Sequence, residues 1–254
     1  MTTIRDAIAA LDQLAPPYLT LGSDPRGLLI GDSKAPLTGI VACLDVTHRA
    51  VEAARKVGAS LIVAHHPLIY QPARTLLADE PHPGSVVLAC ARHGLSVACA
   101  HTNWDVAQGG INDVLAELVG LTEVKVLRVT AKESGDGIGR VGLLREPLSA
   151  TDFLNKLGNV LGIAPRTLTP TRALAVQTVA VCGGAGAELL ADALAAGADT
   201  LVTGDIRHHE FVAAAEQGFL LIDGGHHATE NPGARELGRR LELALPGVAV
   251  TFVG

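Results

Sequence analysis

The amino-acid sequence predicts an α/β fold made of two related halves, each built on a largely parallel sheet. Three observations carry this expectation. Short runs rich in Val, Ile, Leu and Ala alternate with Ala-rich stretches of helical period, the alternation that β-α-β units produce. Residues 40–64 align without gaps with residues 179–203. The unusual polar clusters fall just beyond the carboxyl ends of the expected strands.

Taken in order, the N-terminal MTTIRDAIAALDQLAPP reads as a short amphipathic helix that Pro16-Pro17 ends. Strands are expected at GIVACL (39–44), SLIVA (60–64), LSVACA (95–100), TVAVC (178–182), TLVT (200–203) and FLLID (219–223). Helical patterns cover 47–57, 85–93, 113–119, 187–196, 209–217 and 234–245. Asn231 is placed to cap the last helix, with Pro232 at its first position, so residues 226–230 are expected in a turn ahead of it. The glycine- and charge-rich TAKESGDGIGRVG (130–142) reads as the one linker. It divides the chain into an N-terminal α/β half, 1–130, and a C-terminal α/β half, 131–254, expected to pack as one compact unit.

The internal alignment pairs Cys43 with Cys182, Gly58-Ala59 with Gly197-Ala198, and Val63 with Val202. Both copies read strand, helix, Gly-Ala-polar, strand. A further helix-glycine-strand follows in each, ending in a histidine four residues before an acid: His101 and Asp105, then His226 and Glu230. Such a duplication predicts a pseudo-twofold arrangement with a site between the halves.

Composition narrows the function classes. A content of 48% hydrophobic and 18% charged residues describes a soluble, well-packed chain. Its longest apolar runs fall far short of the roughly 18 residues that a membrane span needs. No basic segment precedes an apolar one at the N-terminus, which argues against secretion and for a cytoplasmic protein. A net charge of −6 without a basic cluster argues against nucleic acid as a partner. The four cysteines, Cys43, Cys90, Cys99 and Cys182, form no C-x-x-C and read as buried thiols of a reducing compartment.

The histidines are the distinctive feature. Six of the ten form adjacent pairs: 65–66, 208–209 and 226–227. Loops at the carboxyl edge of an α/β sheet converge on one crevice, so clusters distant in sequence can share a site. Imidazole and carboxylate without thiolate suit zinc, iron, manganese or nickel. Adjacent histidines on an extended chain point to opposite sides, which favours two neighbouring ions over one for His65 and His66. Asp105 and Glu230 are carboxylates that can bridge such ions. Each motif also has an ordinary reading: Asp45 can cap the next helix, Asp205 can be a helix-start carboxylate, and His209 a surface histidine. His48, His82 and His93 lack a carboxylate at useful spacing.

HHP at 65–67, HTNWD at 101–105, GIGRVG at 137–142, VCGGAG at 181–186, TGDIRHHE at 203–210 and GHHATE at 225–230 occur in a fixed order. In this the chain resembles the NIF-three-like dinuclear metal-centre proteins, often labelled GTP cyclohydrolase 1 type 2 homologues, in their short form. The likeness runs from about Ile4 to the C-terminus, and TAKESGDG marks where longer members insert a domain. It implies metal ligands His65, His66, Asp105, His226 and Glu230, with Glu230 as bridge. His101 would lie in or next to the ligand shell. Asp205 and His209 would line the pocket and serve as catalytic proton carriers, while His208 and His227 carry no metal. It also implies two divalent ions per chain and a ring-shaped homohexamer built as a trimer of dimers. Two departures bear on pocket shape: SDPRGLLIGD (23–32) replaces a Trp-Asp-Asn segment, and Trp104 stands where leucine is usual.

The function so implied is a metal-dependent hydrolase acting on a nucleotide or a small phosphorylated ligand. Its competitor is a non-catalytic ring assembly that handles metal or regulates.

Overall fold

The computed structural model describes residues 2–169 and 175–254. From the N-terminus the elements are α1 (Ile4–Leu14), β1 (Gly27–Ile30), β2 (Ile40–Cys43), α2 (His48–Val57), β3 (Leu61–Ala64), α3 (Gly84–Arg92), β4 (Ser96–Cys99) and α4 (Thr102–Val106). Next come α5 (Ile111–Val119), β5 (Thr122–Ala131), β6 (Asp136–Ser149), α6 (Ala150–Leu161), β7 (Ala175–Ala185) and α7 (Leu190–Ala195). The chain ends with β8 (Thr200–Gly204), α8 (His208–Glu216), β9 (Leu220–Asp223), α9 (His226–Ala244) and β10 (Val250–Val253).

All six strands expected from the sequence form, within a residue or a few at their ends. The chain divides into two compact units, Met1–Ala107 with Ala234–Gly254, and Gln108–Gly233. This differs from a division at 130/131. The segment read as a linker is instead the turn of a hairpin, because β5 and β6 pair antiparallel around it, with Ala131 opposite Asp136. The last strand returns to the first unit, where β10 pairs parallel with β2.

In the first unit the sheet order is β1-β4-β3-β2-β10, all neighbours parallel except β1 against β4. Every residue of β2, β3 and β4 is buried, as in a parallel sheet covered on both faces. Val41, Ile62 and Val97 share a core with Val51 and Ala54 of α2 and with Val86, Val87 and Cys90 of α3. Thr47 caps α2 by accepting from the Ala50 amide at 3.3 Å, and Gly58 ends it in a left-handed conformation at φ 69°. The register sets Cys43 beside Ala64 and Ala64 beside Cys99. The residues that follow these strands, 45, 65–66 and 101, therefore leave the sheet along one edge.

In the second unit the order is β5-β6-β7-β8-β9, antiparallel up to β7 and parallel beyond. Phe153 and Leu157 of α6 and Leu115 of α5 cover one face. Leu189, Ala193, Phe211 and Ala214 cover the other. Phe153 is fully buried, so truncation to alanine is expected to cost about 3–5 kcal/mol. Ala185 pairs with Gly204, and Thr203 with Asp223, which aligns the carboxyl ends of β7, β8 and β9.

One local expectation is corrected here. Helix α9 begins at His226 and contains Pro232, rather than starting at Asn231-Pro232. Proline removes one backbone bond and its ring crowds the carbonyl four residues earlier, a cost that this 19-residue helix bears without ending. The start is fixed upstream, where Gly225 at φ 76° turns the chain out of β9. The Thr229 amide and hydroxyl then both donate to the Gly225 carbonyl, at 3.0 and 2.9 Å. Residues 226–230 consequently form the first helical turn and not a loop.

The cysteines are buried and none is in a disulfide. Among the described residues no helix is long and apolar enough to cross a membrane.

Candidate metal centre

Three histidine rings gather in the first unit. Their potential ligand atoms, on His65, His66 and His101, lie within 4.8 Å of one another. The ring centroids are 5.0 Å apart for His65 and His66, 5.2 Å for His65 and His101, and 5.6 Å for His66 and His101. The opposed directions expected of an adjacent pair on an extended chain are not found. Strand β3 ends at Ala64, and the pair lies in the bend beyond it, where the alternation of a strand no longer applies.

Each ring is anchored through Nδ1. His65 Nδ1 lies 2.9 Å from the Ala100 carbonyl oxygen, His66 Nδ1 2.8 Å from Asp45 Oδ1, and His101 Nδ1 2.7 Å from Asp24 Oδ2. A carbonyl only accepts, so His65 donates from Nδ1, and Nε2 is the nitrogen turned toward Asp105. That Nε2 lies 3.5 Å from Asp105 Oδ1, both groups being buried. An imidazole and a carboxylate at this separation are among the groups that could hold a metal ion. Histidines anchored at one nitrogen by carbonyl or carboxylate are the usual pattern of metal ligands. Asp105 reaches this place because α4 starts directly after His101, and Asn103 Nδ2 ties that turn to the Ala15 carbonyl at 2.6 Å.

Two of the anchors correct or extend the sequence reading. Thr47, not Asp45, caps α2, which leaves the Asp45 carboxylate on His66. Asp24, in the departing segment SDPRG, accepts from His101 and also from the Thr102 amide at 3.3 Å and hydroxyl at 2.9 Å. Burial opposes ionisation of Asp24, but these bonds outweigh it and hold its carboxyl below the ordinary range. No local signal marks Asp24, since its partners lie 77 and 78 residues away. Tyr70, in the loop after the histidine pair, meets His101 edge-on with centroids 6.3 Å apart.

A second cluster forms in the other unit. His226 Nε2 lies 2.9 Å from Glu230 Oε2, one helical turn along α9, and its Nδ1 lies 2.7 Å from Asp205 Oδ2. With a carboxylate on each nitrogen the ring is pushed up to about 9, first by the Glu230 bond, against burial, and then by Asp205. Asp205 sits just past β8 with φ 54°, a left-handed conformation that Asp adopts more readily than most residues.

The glycines of β7 and β8 make room for this pair. A Cβ at Gly184, where φ is 64°, would lie 2.1 Å from Glu230 Oε1, and one at Gly204 would lie 2.6 Å from the His226 amide nitrogen. Thr229 locks the same turn, accepting from the Gly184 amide at 3.1 Å. The VCGGAG motif thus serves a carboxylate seat, a role its glycine content alone does not reveal.

The remaining candidates lie further out. His209 is exposed on the first turn of α8, and His208 and His227 are exposed as well. Trp104 is completely buried, with the Arg240 guanidinium over its ring at 5.6 Å from the centroid. The imidazoles and carboxylates of these clusters, with no cysteine among them, can hold a hard or borderline divalent ion.

Known proteins share this architecture. Over 234 residues the chain is 34% identical to a Lactococcus lactis protein named GTP cyclohydrolase 1 type 2 homolog, covering 88% of this chain and 86% of that one. A Clostridium perfringens protein of the same name is 31% identical over 229 residues, covering 90% and 87%. The fold matches a Bacillus cereus protein described as related to NIF3, with a TM-score of 0.93 at 23% identity over 99% of this chain and 96% of that one. The family profile described as Duf34/NIF3 (NGG1p interacting factor 3) matches residues 2–254, and the chain therefore belongs to the DUF34/NIF3 family.

Proposed function

We propose that the protein is a dinuclear divalent-metal protein that hydrolyses a nucleotide-like substrate. The observation that carries this is the common anchoring of four rings. His65, His66, His101 and His226 are each held at Nδ1 by a carbonyl or carboxylate. In this reading His65, His66, Asp105, His226 and Glu230 would hold the ions, Glu230 would be the shared carboxylate, and His101 would join or support the shell. Bound divalent ions would supply Lewis acidity and an activated water. The name carried by the relatives, GTP cyclohydrolase 1 type 2 homolog, supports a purine nucleotide as the first substrate to test.

The chain's own residues orient the ligands and carry protons. Asp24 and Asp45 fix the tautomers of His101 and His66. Asp205 holds the proton on His226 Nδ1 and is more than half exposed, so it can also exchange protons with solvent or substrate. His209, four residues on, is the second proton carrier in this proposal. The chain works as a cytoplasmic homohexamer, a trimer of dimers.

Metal analysis of the purified protein, followed by a GTP turnover assay with added Mn or Zn, tests the proposal. Activity and about two ions per chain are expected, both lost in His65→Ala and in Glu230→Gln, with folding verified by Trp104 emission. Stoichiometric metal without turnover of any nucleotide on a broad panel would replace the hydrolase with a non-catalytic metal-handling ring.

A further inference from the structure

A cleft of about 530 Å3 opens in the second unit beside the loop that carries Asp205. Arg166, Thr167 and Leu168 line one wall, and Ile206, His208 and Phe211 the other. Ile206 directly follows the carboxylate that holds His226. Arg166 is tied to Asp223, three residues before His226, by a side-chain contact of 2.5 Å and by reciprocal backbone bonds of 3.0 and 2.8 Å. The cleft is thus bounded by the same two strand ends that position the second cluster.

Its chemistry is divided. Ile206 and Phe211 are almost fully buried, and Leu168 offers a half-exposed apolar side chain. Among the described residues the rim carries the Arg166 guanidinium and the His208 imidazole. Arg166 is 75% exposed and bonds Asp223 through Nη2, while the other oxygen of Asp223 accepts from the Gly225 amide at 2.9 Å. A guanidinium bonded at one corner offers its remaining N–H donors in a planar fork suited to phosphate. The volume lies within the range of about 300–1,000 Å3 common for small-molecule sites. A larger concavity of about 760 Å3 in the same unit is lined by Asp113, Glu117 and Glu146 against Arg145 and Lys156, a balance that disfavours an anion.

We propose that the cleft is the recognition site for a phosphorylated planar heterocycle of the nucleotide class. Its ring packs on Leu168, Ile206 and Phe211, and its phosphate engages Arg166. The role of this ligand as substrate rests on the proposed metal-dependent activity; its binding does not. Free phosphate would use only the rim and an uncharged nucleoside only the apolar wall, so the two halves of the site can be measured separately.

Calorimetric titration of the full, metal-loaded protein with GMP, AMP, CMP and UMP, the matching nucleosides, and inorganic phosphate tests this. At least one mononucleotide is expected to bind tenfold or more tightly than both its nucleoside and phosphate. Arg166→Gln should remove the preference over the nucleoside while leaving nucleoside binding in place. Leu168→Glu, at a half-exposed position, should weaken mononucleotide binding tenfold or more. Equal affinity for nucleotide and nucleoside in the wild type overturns the assignment, as does wild-type affinity in both variants. Metal content is measured in the same samples. A chain that binds the nucleotide here but holds no metal would overturn the proposed activity and leave the cleft assignment standing. Metal-replete protein without nucleotide preference would overturn the cleft assignment alone.

Discussion

Asp24 Oδ2 lies 2.7 Å from His101 Nδ1, joining residues 77 positions apart and making one carboxylate the support for a whole turn. The same oxygen accepts from the amide and hydroxyl of Thr102, the first residue of α4, on which Asp105 stands. Asp24→Ala therefore removes the orientation of one imidazole and loosens the element that carries a second ligand. Loss of such supporting bonds commonly lowers metal affinity by about 10–100-fold. Competition titration with a chelating indicator is expected to show a drop in that range, with unchanged far-ultraviolet circular dichroism. Wild-type affinity in Asp24→Ala would separate His101 from metal binding.

Gly184 permits a second test, in the other cluster. Its φ of 64° is already costly for an alanine, and the added Cβ would stand 2.1 Å from Glu230 Oε1. Gly184 is buried near the end of β7, and the atoms nearest the added Cβ all belong to the Glu230 and His226 side chains, so the carboxylate rather than the sheet is expected to give way. Gly184→Ala should lose bound metal on gel filtration while its Tm falls by only a few degrees. Gly197→Ala, a control at another positive φ with open space around its Cβ position, should keep its metal.

The parallel strands and the clustering of the histidines were legible because they are written locally. A buried parallel strand is a continuous run such as LIVA, and a histidine pair directly after it marks the sheet's carboxyl edge. What escaped depends on distant partners. Strand β10 is recognised only by pairing with β2 across the length of the chain. The hairpin β5–β6 has a turn whose glycines and charges resemble a linker, although Val126 opposite Arg140 and Arg128 opposite Ile138 make it a sheet. Asp45 looked like a cap because caps are common after strands. Only the structure reveals that Thr47 already fills that role. The helix start at His226 was hidden by Pro232, the stronger local signal.

The cysteines should be inert while the protein is folded. Burial pushes the Cys90 thiol up to about 11 and the Cys99 thiol up to about 12, with nearby Asp24 adding to the latter, and it raises Cys43 further still. Only the thiolate reacts rapidly, and at pH 8 these groups are protonated. A thiol-reactive chromogenic disulfide is expected to label none of the four within minutes in the native protein and all four in guanidinium. Rapid native labelling of one site would mean that its strand or helix opens locally.

Glu236 gives the pH dependence a defined sign. Arg239 at 2.7 Å and Arg240 at 2.9 Å bracket its carboxylate on α9. The Arg239 bond is the largest influence, burial opposes it, and Arg240 adds to it, so the carboxyl falls to about 2. A group whose folded value is depressed stabilises the fold above its unfolded value, here 4.5, and loses that contribution as pH falls toward 2. Arg239 is more than half exposed, so solvent screening limits the contribution to about 1 kcal/mol or less. Glu236→Gln should therefore melt below the wild type at pH 7, and the two curves should converge between pH 4.5 and pH 2. Arg240 also lies over the Trp104 ring, so the emission of that residue reports whether the pair has been released. A gap in Tm that persists at pH 2 would assign the effect of the substitution to packing and not to charge.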